Sequence, residues 1–294
     1  MHACGLNRSD LLETQGQSFG HLGGKTKILG GEFAGEIAEI GMDVEGYKIG
    51  DRVMCRGGAG WAEYAIADWR RTVKVQSKEI SYEQAACQQG AMQTMHDAII
   101  TNAQFSTGQT ILFLGASSGV GLMGMQIART MGAKLIIGTS SNPGRRQRLP
   151  EFGADLILDT EEDNWDSKVL DSTDGNGVDV TIDMLSGHYV NKAMEVTKVH
   201  GYIVNIGRLA GMTADFNFDR HAARRLHYIG TTGRSRSIDE HAEVQRRANE
   251  DLGEAIRLGE IASPVDMVFP LSEADKALDR MNSNEHFGKI ILLP

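Results

Sequence analysis

The chain contains the stretch Ile111-Leu112-Phe113-Leu114-Gly115-Ala116-Ser117-Ser118-Gly119-Val120-Gly121, in which an apolar run passes into glycines that open a helical pattern. Glycine lets the backbone approach a bound group closely, and a helix N-terminus presents N–H groups and the positive end of its dipole. A bare glycine motif is weak evidence, but the strand–turn–helix context is typical of a dinucleotide pyrophosphate site. The alternative interpretation is a tight β–α turn that holds no ligand.

Around this stretch, short apolar runs alternate with segments of helical periodicity. The strand candidates are Thr110–Gly115, Lys134–Thr139, Leu156–Asp159, Val178–Asp183, Tyr202–Gly207 and His227–Thr231. Helical candidates between them include Gly121–Met131 and Tyr189–Lys198. Strands joined in this way are parallel and have both faces covered. The pattern therefore predicts an α/β fold with a doubly wound parallel sheet of the Rossmann type.

The remainder of the chain has a different pattern. Short, glycine-punctuated segments alternate apolar and polar residues at Glu36–Ile40, Gly50–Met54 and Trp61–Ala65, which predicts a small, mostly antiparallel β domain. A long polar helix over Ile238–Leu258 follows the last Rossmann strand. The tail returns to strand character, and we expect it to pack on the first domain.

Composition limits the classes of function. The 294 residues contain 41% hydrophobic residues and carry a net charge of −9, which disfavours nucleic acid as the main partner. No apolar run reaches the roughly 18 residues that a membrane span needs, so we expect no membrane association. Cys4, Cys55 and Cys87 are odd in number and scattered. We therefore expect a cytoplasmic protein without a disulfide framework.

The end of the second Rossmann strand indicates which dinucleotide is bound. An NAD site usually places Asp or Glu there, for the ribose hydroxyls. Here Ser140 and Ser141 are followed by Arg145 and Arg146, and no carboxylate lies among them. Hydroxyl and guanidinium groups bind a 2′-phosphate that a carboxylate would repel, which favours NADP(H). Alternatively, Arg145, Arg146 and Arg148 form a solvated helix face, which we expect for at least one of them.

Several segments resemble the medium-chain dehydrogenase/reductase superfamily, particularly its zinc-independent quinone oxidoreductase branch, which includes zeta-crystallin. They are the stretch Ile111–Gly121 quoted above, Gly5–Asp10, Gly30–Gly35, Tyr47–Val53 and His286–Leu292. The resemblance implies a GroES-like, mostly β catalytic domain over residues 1–90 and 233–294, and a Rossmann NADP-binding domain over residues 91–232. It also implies that this chain lacks the N-terminal strands of the GroES-like domain.

The resemblance also implies a site and an assembly. Ser118, Gly119, Val120 and Gly121 would hold the pyrophosphate, and Ser140, Ser141 and Arg145 the 2′-phosphate. Five residues would lie near the nicotinamide half: Thr94, Gly207, Arg208, Thr231 and Thr232. The three threonines are alternatively ordinary strand-end hydroxyls. Asn7 and Thr94 would be the candidate catalytic residues. A homodimer would form through the last Rossmann strand, near Tyr228.

Zinc members of this superfamily use cysteine, histidine and cysteine as catalytic ligands, whereas Asn7, Gly31 and Gly90 stand at those positions here. We therefore expect no metal, and NADPH-dependent hydride transfer to a quinone or α,β-unsaturated carbonyl. An enoyl-thioester reductase is a second hypothesis, and a non-catalytic NADPH-binding or structural protein is a third. Relatives often carry a tyrosine near the substrate where Ser18 stands, which makes a side-chain proton donor doubtful.

Overall fold

The computed structural model describes residues 1–16, 28–75 and 77–294. This part of the chain forms two compact units. One unit comprises Met1–Gln93 together with Gly233–Pro294, and the other comprises Thr94–Thr232.

The described strands are β1 (Ala3–Gly5), β2 (Glu32–Glu36), β3 (Arg52–Arg56), β4 (Thr72–Lys74), β5 (Thr110–Leu114), β6 (Leu135–Thr139), β7 (Leu156–Leu158), β8 (Val178–Asp183), β9 (Thr197–Asn205), β10 (His227–Gly230), β11 (Val265–Pro270) and β12 (Lys289–Leu293). The α-helices are α1 (Arg8–Thr14), α2 (Tyr82–Ala85), α3 (Gln89–His96), α4 (Gly119–Thr130), α5 (Pro143–Arg146), α6 (Trp165–Asp171), α7 (Val190–Val196), α8 (Phe218–Arg224), α9 (Ile238–Arg257) and α10 (Ala274–Asn282).

The first unit contains a mixed sheet with the strand order β11-β12-β1-β2-β3-β4. Its pairs are antiparallel except for β11 and β12, which run parallel. The tail of the chain thus completes the sheet that the beginning starts, because Cys4 pairs with Leu292 and Gly5 with Ile291. Buried Phe33 and Ile290 belong to the core beneath this sheet. The prediction that the tail packs on the first domain is confirmed.

The second unit contains a parallel sheet with the order β10-β9-β8-β5-β6-β7. The strand order reverses beside β5, so the loops after β5 and β8 separate at a switch point of a doubly wound sheet. Leu112, Leu114 and Ile137 are fully buried, as expected for strands that are covered on both faces. The prediction of a parallel Rossmann sheet with a separate, mostly β domain is confirmed.

Local boundaries differ from the sequence prediction in two places. The alternation at Glu36–Ile40 does not form a strand beyond Glu36. Ile37 makes the last backbone hydrogen bonds of this segment, with Gly50 and Asp51, and the ladder ends there. Trp61–Ala65 is not a strand either; Trp61 donates a single backbone bond to Leu29 and packs on the core. Alternating hydrophobicity indicates one buried face, but a strand also needs a partner ladder.

No helix in the described ranges is both long enough and apolar enough to cross a membrane.

Candidate functional site

The glycine turn between β5 and α4 is built for close backbone approach. Gly115 has φ of +85°, and a Cβ atom at Gly121 would lie 2.5 Å from the carbonyl oxygen of Ala116. Ser118 caps α4, because its Oγ accepts a bond from the Gly121 N–H at 3.1 Å and donates to the Gly115 carbonyl at 3.1 Å. In a helix of this length, the N–H groups of the first turn have no acceptor within the helix. Gly119 and Val120 therefore present donors suited to a pyrophosphate, and this turn fits a dinucleotide.

The predicted 2′-phosphate residues lie at the end of the neighbouring strand, β6. Ser140 is buried, and its hydroxyl oxygen lies 2.9 Å from that of Ser117 in the glycine turn. Ser141 is exposed, and Arg145 is half-buried on the short helix α5. Ser140 is therefore in direct contact with the glycine turn that precedes α4.

Arg146, the next residue after Arg145, is held by contacts within the protein. Its Nη1 donates to the Ser140 carbonyl at 2.7 Å and to Asp159 Oδ2 at 2.8 Å. Asp159 follows β7 and was not expected beside this loop; its charge is paired by Arg146. Arg148 pairs with Glu151 at the surface, in agreement with the expectation that part of the basic run is a solvated face.

The residues after β8, β9 and β10 lie at the same carboxyl edge of the sheet. A Cβ atom at Gly207 would lie 2.4 Å from the Met184 carbonyl oxygen, so this loop also packs closely. Arg208 lines a cavity of about 170 Å³, and the Thr231 N–H donates to the Asn205 carbonyl at 3.0 Å. Thr232 follows directly and is the last residue of the second unit.

Asp183, at the end of β8, was missed by sequence reasoning. It is fully buried, and its Oδ1 accepts bonds from the backbone N–H groups of Leu185 and Ser186 at 2.9 and 2.8 Å. Burial raises the pKa of this carboxyl above its usual value, and these hydrogen bonds offset only part of the rise. Ser186, held in this way, has φ of +58° and donates to the Gly207 carbonyl. Asp183 therefore fixes the loops that carry Gly207.

Asn7, in the first unit, belongs to a buried ionic network. Lys289 Nζ donates to Asn7 Oδ1 at 2.8 Å and to Glu32 Oε2 at 2.9 Å. The Gly90 N–H donates to Glu32 Oε1 at 2.6 Å, and Asn7 Nδ2 lies 3.3 Å from Glu32 Oε2. Sequence analysis singled out Asn7 but missed Lys289, whose only signal was a lysine at the start of an apolar strand.

Thr94 lies on α3 and is half-buried. Ser18 lies outside the described residues.

Within the described ranges, no three histidine, cysteine, aspartate or glutamate side chains gather as a metal site would require. The three cysteines are free and buried, and burial raises the pKa of Cys4 and Cys87 to about 12 each.

Asp10 gives the buried network of Asn7, Glu32 and Lys289 a pH dependence. Its Oδ2 accepts a bond from the Asn7 N–H at 2.8 Å, and burial raises its pKa from 3.8 to about 6. The native state therefore holds this proton more tightly than the unfolded chain does. The resulting stabilisation is complete below about pH 4 and is lost as the pH rises through about 6. We expect Asp10 to lower the free energy of unfolding by on the order of 2 to 3 kcal/mol between those limits.

The measurement is equilibrium unfolding of the wild type and Asp10→Asn at several pH values. Asparagine keeps an acceptor for the Asn7 N–H but does not titrate. The stability of the wild type relative to this variant should decrease between about pH 4 and pH 7. Asp275→Asn at the exposed start of α10 controls for removal of a charge. A constant difference between wild type and Asp10→Asn would contradict the assignment.

A glycine turn and helix N-terminus at the carboxyl edge of a parallel sheet, in a chain that also forms a mixed β unit, are typical of two-domain proteins with a dinucleotide-binding Rossmann unit. The family models agree: residues 1–77 match the alcohol dehydrogenase GroES-like domain, and residues 119–249 match the zinc-binding dehydrogenase domain. The chain belongs to the medium-chain dehydrogenase/reductase superfamily, in its quinone oxidoreductase-like branch.

Two curated relatives illustrate the range of this group. The quinone oxidoreductase of Pseudomonas aeruginosa is 28% identical over 268 residues, covering 90% of this chain and 82% of that protein. A component of the phenolphthiocerol/phthiocerol polyketide synthase of Mycobacterium tuberculosis is 26% identical over 292 residues. That match covers 99% of this chain but only 13% of the synthase component.

Among solved structures, a mycobacterial protein in complex with NADPH has the same fold, with a TM-score of 0.87 and 24% identity. The match covers all of this chain and 89% of that one.

Proposed function

We propose that the protein is an NADPH-dependent, zinc-independent reductase that transfers hydride to a quinone or an α,β-unsaturated carbonyl. One observation carries the proposal: the positions that match the catalytic zinc ligands hold Asn7, Gly31 and Gly90, and a buried ammonium, Lys289, binds Asn7 beside them. Alcohol oxidation without a metal that lowers the alcohol's pKa is difficult. Reduction of an electron-poor acceptor needs only hydrogen-bond donors for the developing oxyanion.

The residues of this chain would position and polarise the acceptor. When bound, the dinucleotide supplies the hydride. Lys289 holds Asn7 Oδ1, which orients the amide. Among the residues that the structure describes, Asn7 Nδ2 makes only long contacts of 3.3 and 3.4 Å. The Nδ2 group is thus a donor that an acceptor oxygen can recruit. The Thr94 hydroxyl is the second donor that we propose, and solvent supplies the proton that completes the reduction.

NADPH is the dinucleotide that the chain's residues favour. Ser140, Ser141 and Arg145 provide hydroxyl and guanidinium donors, and Asp159, the nearby carboxylate, is paired by Arg146. A paired carboxylate repels a 2′-phosphate much less than a free one. The similar mycobacterial structure holds NADPH, which is in agreement with this proposal.

An enoyl-thioester reductase is the second candidate. It is favoured by the relationship to the polyketide synthase of Mycobacterium tuberculosis, which extends over 99% of this chain. An enoyl thioester also presents a double bond beside a carbonyl, so the same donors would serve. A non-catalytic NADPH-binding protein is the candidate of another class; it requires tight NADPH binding without turnover of any acceptor.

We also propose a cytoplasmic homodimer. β10 forms one edge of the parallel sheet, and its backbone is available to pair with a second copy across a two-fold axis.

The test is the rate of NADPH oxidation with quinones, enones, enoyl thioesters and alcohols, with NADH as the control cofactor. We expect turnover with a quinone or enone, no zinc-dependent alcohol turnover, and a kcat/KM for NADPH at least about tenfold above that for NADH. Turnover confined to enoyl thioesters would favour the second candidate. A preference for NADH would contradict the role of Ser140, Ser141 and Arg145.

A further inference from the structure

The cavity of about 170 Å³ beside Arg208 is formed within the second unit alone. Its described walls come from the segment after β8, from the end of β9 with the loop that follows, and from β10. Of the residues predicted to hold the dinucleotide, all of which the structure describes, Arg208 alone lines this cavity. We call it the Arg208 cavity, and we consider it separately from the dinucleotide site.

Tight backbone contacts fix the walls of the Arg208 cavity. Ser186 has φ of +58° and ψ of −143°, a conformation that is costly for a residue with a side chain and is typical of ligand-binding regions. A Cβ atom at Gly187 would lie 2.4 Å from the carbonyl oxygen of Ala210, and Ser186 forms a parallel bridge with Gly211. These contacts hold the two neighbouring walls together, so the cavity exists before any ligand binds.

Arg208 supplies a positive charge to this cavity. Its Nη1 donates one long hydrogen bond, of 3.4 Å, to the Ile206 carbonyl, and it forms no ion pair within the described ranges. Among the described residues that line the cavity, Arg208 is the only charged one. The buried Asp183 carboxylate instead accepts bonds from the N–H groups of Leu185 and Ser186. The half-buried guanidinium therefore keeps most of its donors for a bound group.

Two hydroxyl groups on the lining add neutral donors. The hydroxyls of Tyr228 and Thr213 have no hydrogen-bond partner among the residues that the structure describes. Burial raises the pKa of Tyr228 to about 12, so this hydroxyl keeps its proton at physiological pH. The Tyr228 ring packs at a right angle against Phe216, with 5.7 Å between the ring centroids, which limits its movement. A guanidinium and two hydroxyls on one cavity suit an oxyanion.

The same cavity also has an apolar part. Val190 is buried, Phe216 packs on the core of the unit, and Met212 is 65% exposed. Apolar walls are favourable only for a ligand with a hydrocarbon part, so they favour an organic acid over inorganic phosphate. Pockets for drug-sized ligands have volumes of roughly 300 to 1,000 Å³, and this cavity is smaller. Its ligand is therefore small.

We propose that the Arg208 cavity binds a small organic carboxylate. The Arg208 guanidinium and the hydroxyls of Tyr228 and Thr213 donate to the carboxylate oxygens. The hydrocarbon part of the ligand lies against Val190 and Phe216. This site goes beyond the proposed reductase function and does not depend on it, because the residues that form it all belong to the second unit.

The test is a fluorine NMR titration of the full chain with para-fluorobenzoate, without any acceptor. Its neutral counterpart of the same shape is para-fluorobenzamide, and inorganic phosphate is an anion without a hydrocarbon part. The variants are Arg208→Gln, Tyr228→Phe and Ala214→Trp, which places an indole on the cavity wall. Arg220→Gln is the matched control, because Arg220 lies on α8 in the same unit, pairs with Glu195 and does not line the cavity.

We expect the wild type to bind para-fluorobenzoate with a Kd of about 1 mM or less, and at least about tenfold more tightly than para-fluorobenzamide. Arg208→Gln should weaken binding of the carboxylate at least about tenfold, and Tyr228→Phe about threefold to tenfold. Ala214→Trp should abolish it, and Arg220→Gln should bind as the wild type does. Circular dichroism spectra equal to that of the wild type exclude misfolding of the variants.

Several results would overturn the site. Equal binding of the carboxylate and the amide by the wild type, or equal carboxylate binding by wild type and Arg208→Gln, would show that Arg208 does not hold an anion. Tighter binding of phosphate than of para-fluorobenzoate would contradict an organic carboxylate as the ligand. Competitive displacement of para-fluorobenzoate by NADPH would assign Arg208 to the dinucleotide site. None of these results depends on turnover, so the site can stand if the reductase proposal fails, and the reverse.

Discussion

Replacing Gly121 by alanine is expected to weaken NADPH binding at least about tenfold. The added Cβ would lie 2.5 Å from the carbonyl oxygen of Ala116 and 2.8 Å from its Cα. These are backbone atoms, so they cannot turn aside as a flexible side chain would. The start of α4 must move away from the turn, and the donors of Gly119 and Val120 move with it.

The measurement is a fluorescence titration of wild type and Gly121→Ala with NADPH. Gly253→Ala is the matched control, because Gly253 lies inside α9 and its added Cβ would meet nothing within 4 Å. This control should bind NADPH normally and be more stable by about 0.5 to 1 kcal/mol, since alanine is the better helix former. Wild-type affinity in Gly121→Ala would show that the turn does not hold the dinucleotide.

Replacing Lys289 by methionine is expected to lower the free energy of unfolding by about 3 to 5 kcal/mol. The side chains of Lys289 and Glu32 are only 8% and 2% exposed, so the change leaves the Glu32 carboxylate buried without its ammonium partner. Asn7 Oδ1 loses a donor in the same step. Little of this loss can be recovered from water.

Urea unfolding of a variant set tests this explanation. Lys289→Met combined with Glu32→Gln should be more stable than Lys289→Met alone, because the uncompensated charge is gone. Lys276→Met removes the ammonium from an exposed pair with Glu273 and should cost at most about 1 kcal/mol. A cost for Lys289→Met as small as that of Lys276→Met would mean that the buried pair does not anchor this part of the site.

Local signals in the sequence were sufficient to predict the parallel sheet. The strand that ends at Leu114, the turn at Gly115 and the helix from Gly119 lie close together in the chain, so one stretch specifies both the fold and the pyrophosphate site. The alternation at Glu36–Ile40 was misleading for the opposite reason, because whether a strand continues depends on a partner elsewhere in the chain.

Several contacts that sequence reasoning missed join residues that are distant in the chain. Lys289 meets Glu32 across 257 positions of the chain. Asp159 likewise contacts Arg146 beside Ser140 because β6 pairs with β7.

Hydride transfer from NADPH to an activated acceptor can be followed with an isotope label. The wild-type protein would be incubated with benzalacetone and NADPH deuterated at its hydride-donating carbon, and the product analysed by mass spectrometry and NMR. We expect a saturated ketone with one deuterium on the carbon β to the carbonyl. Recovery of unchanged benzalacetone, or of a product without deuterium at that carbon, would contradict the proposed reaction.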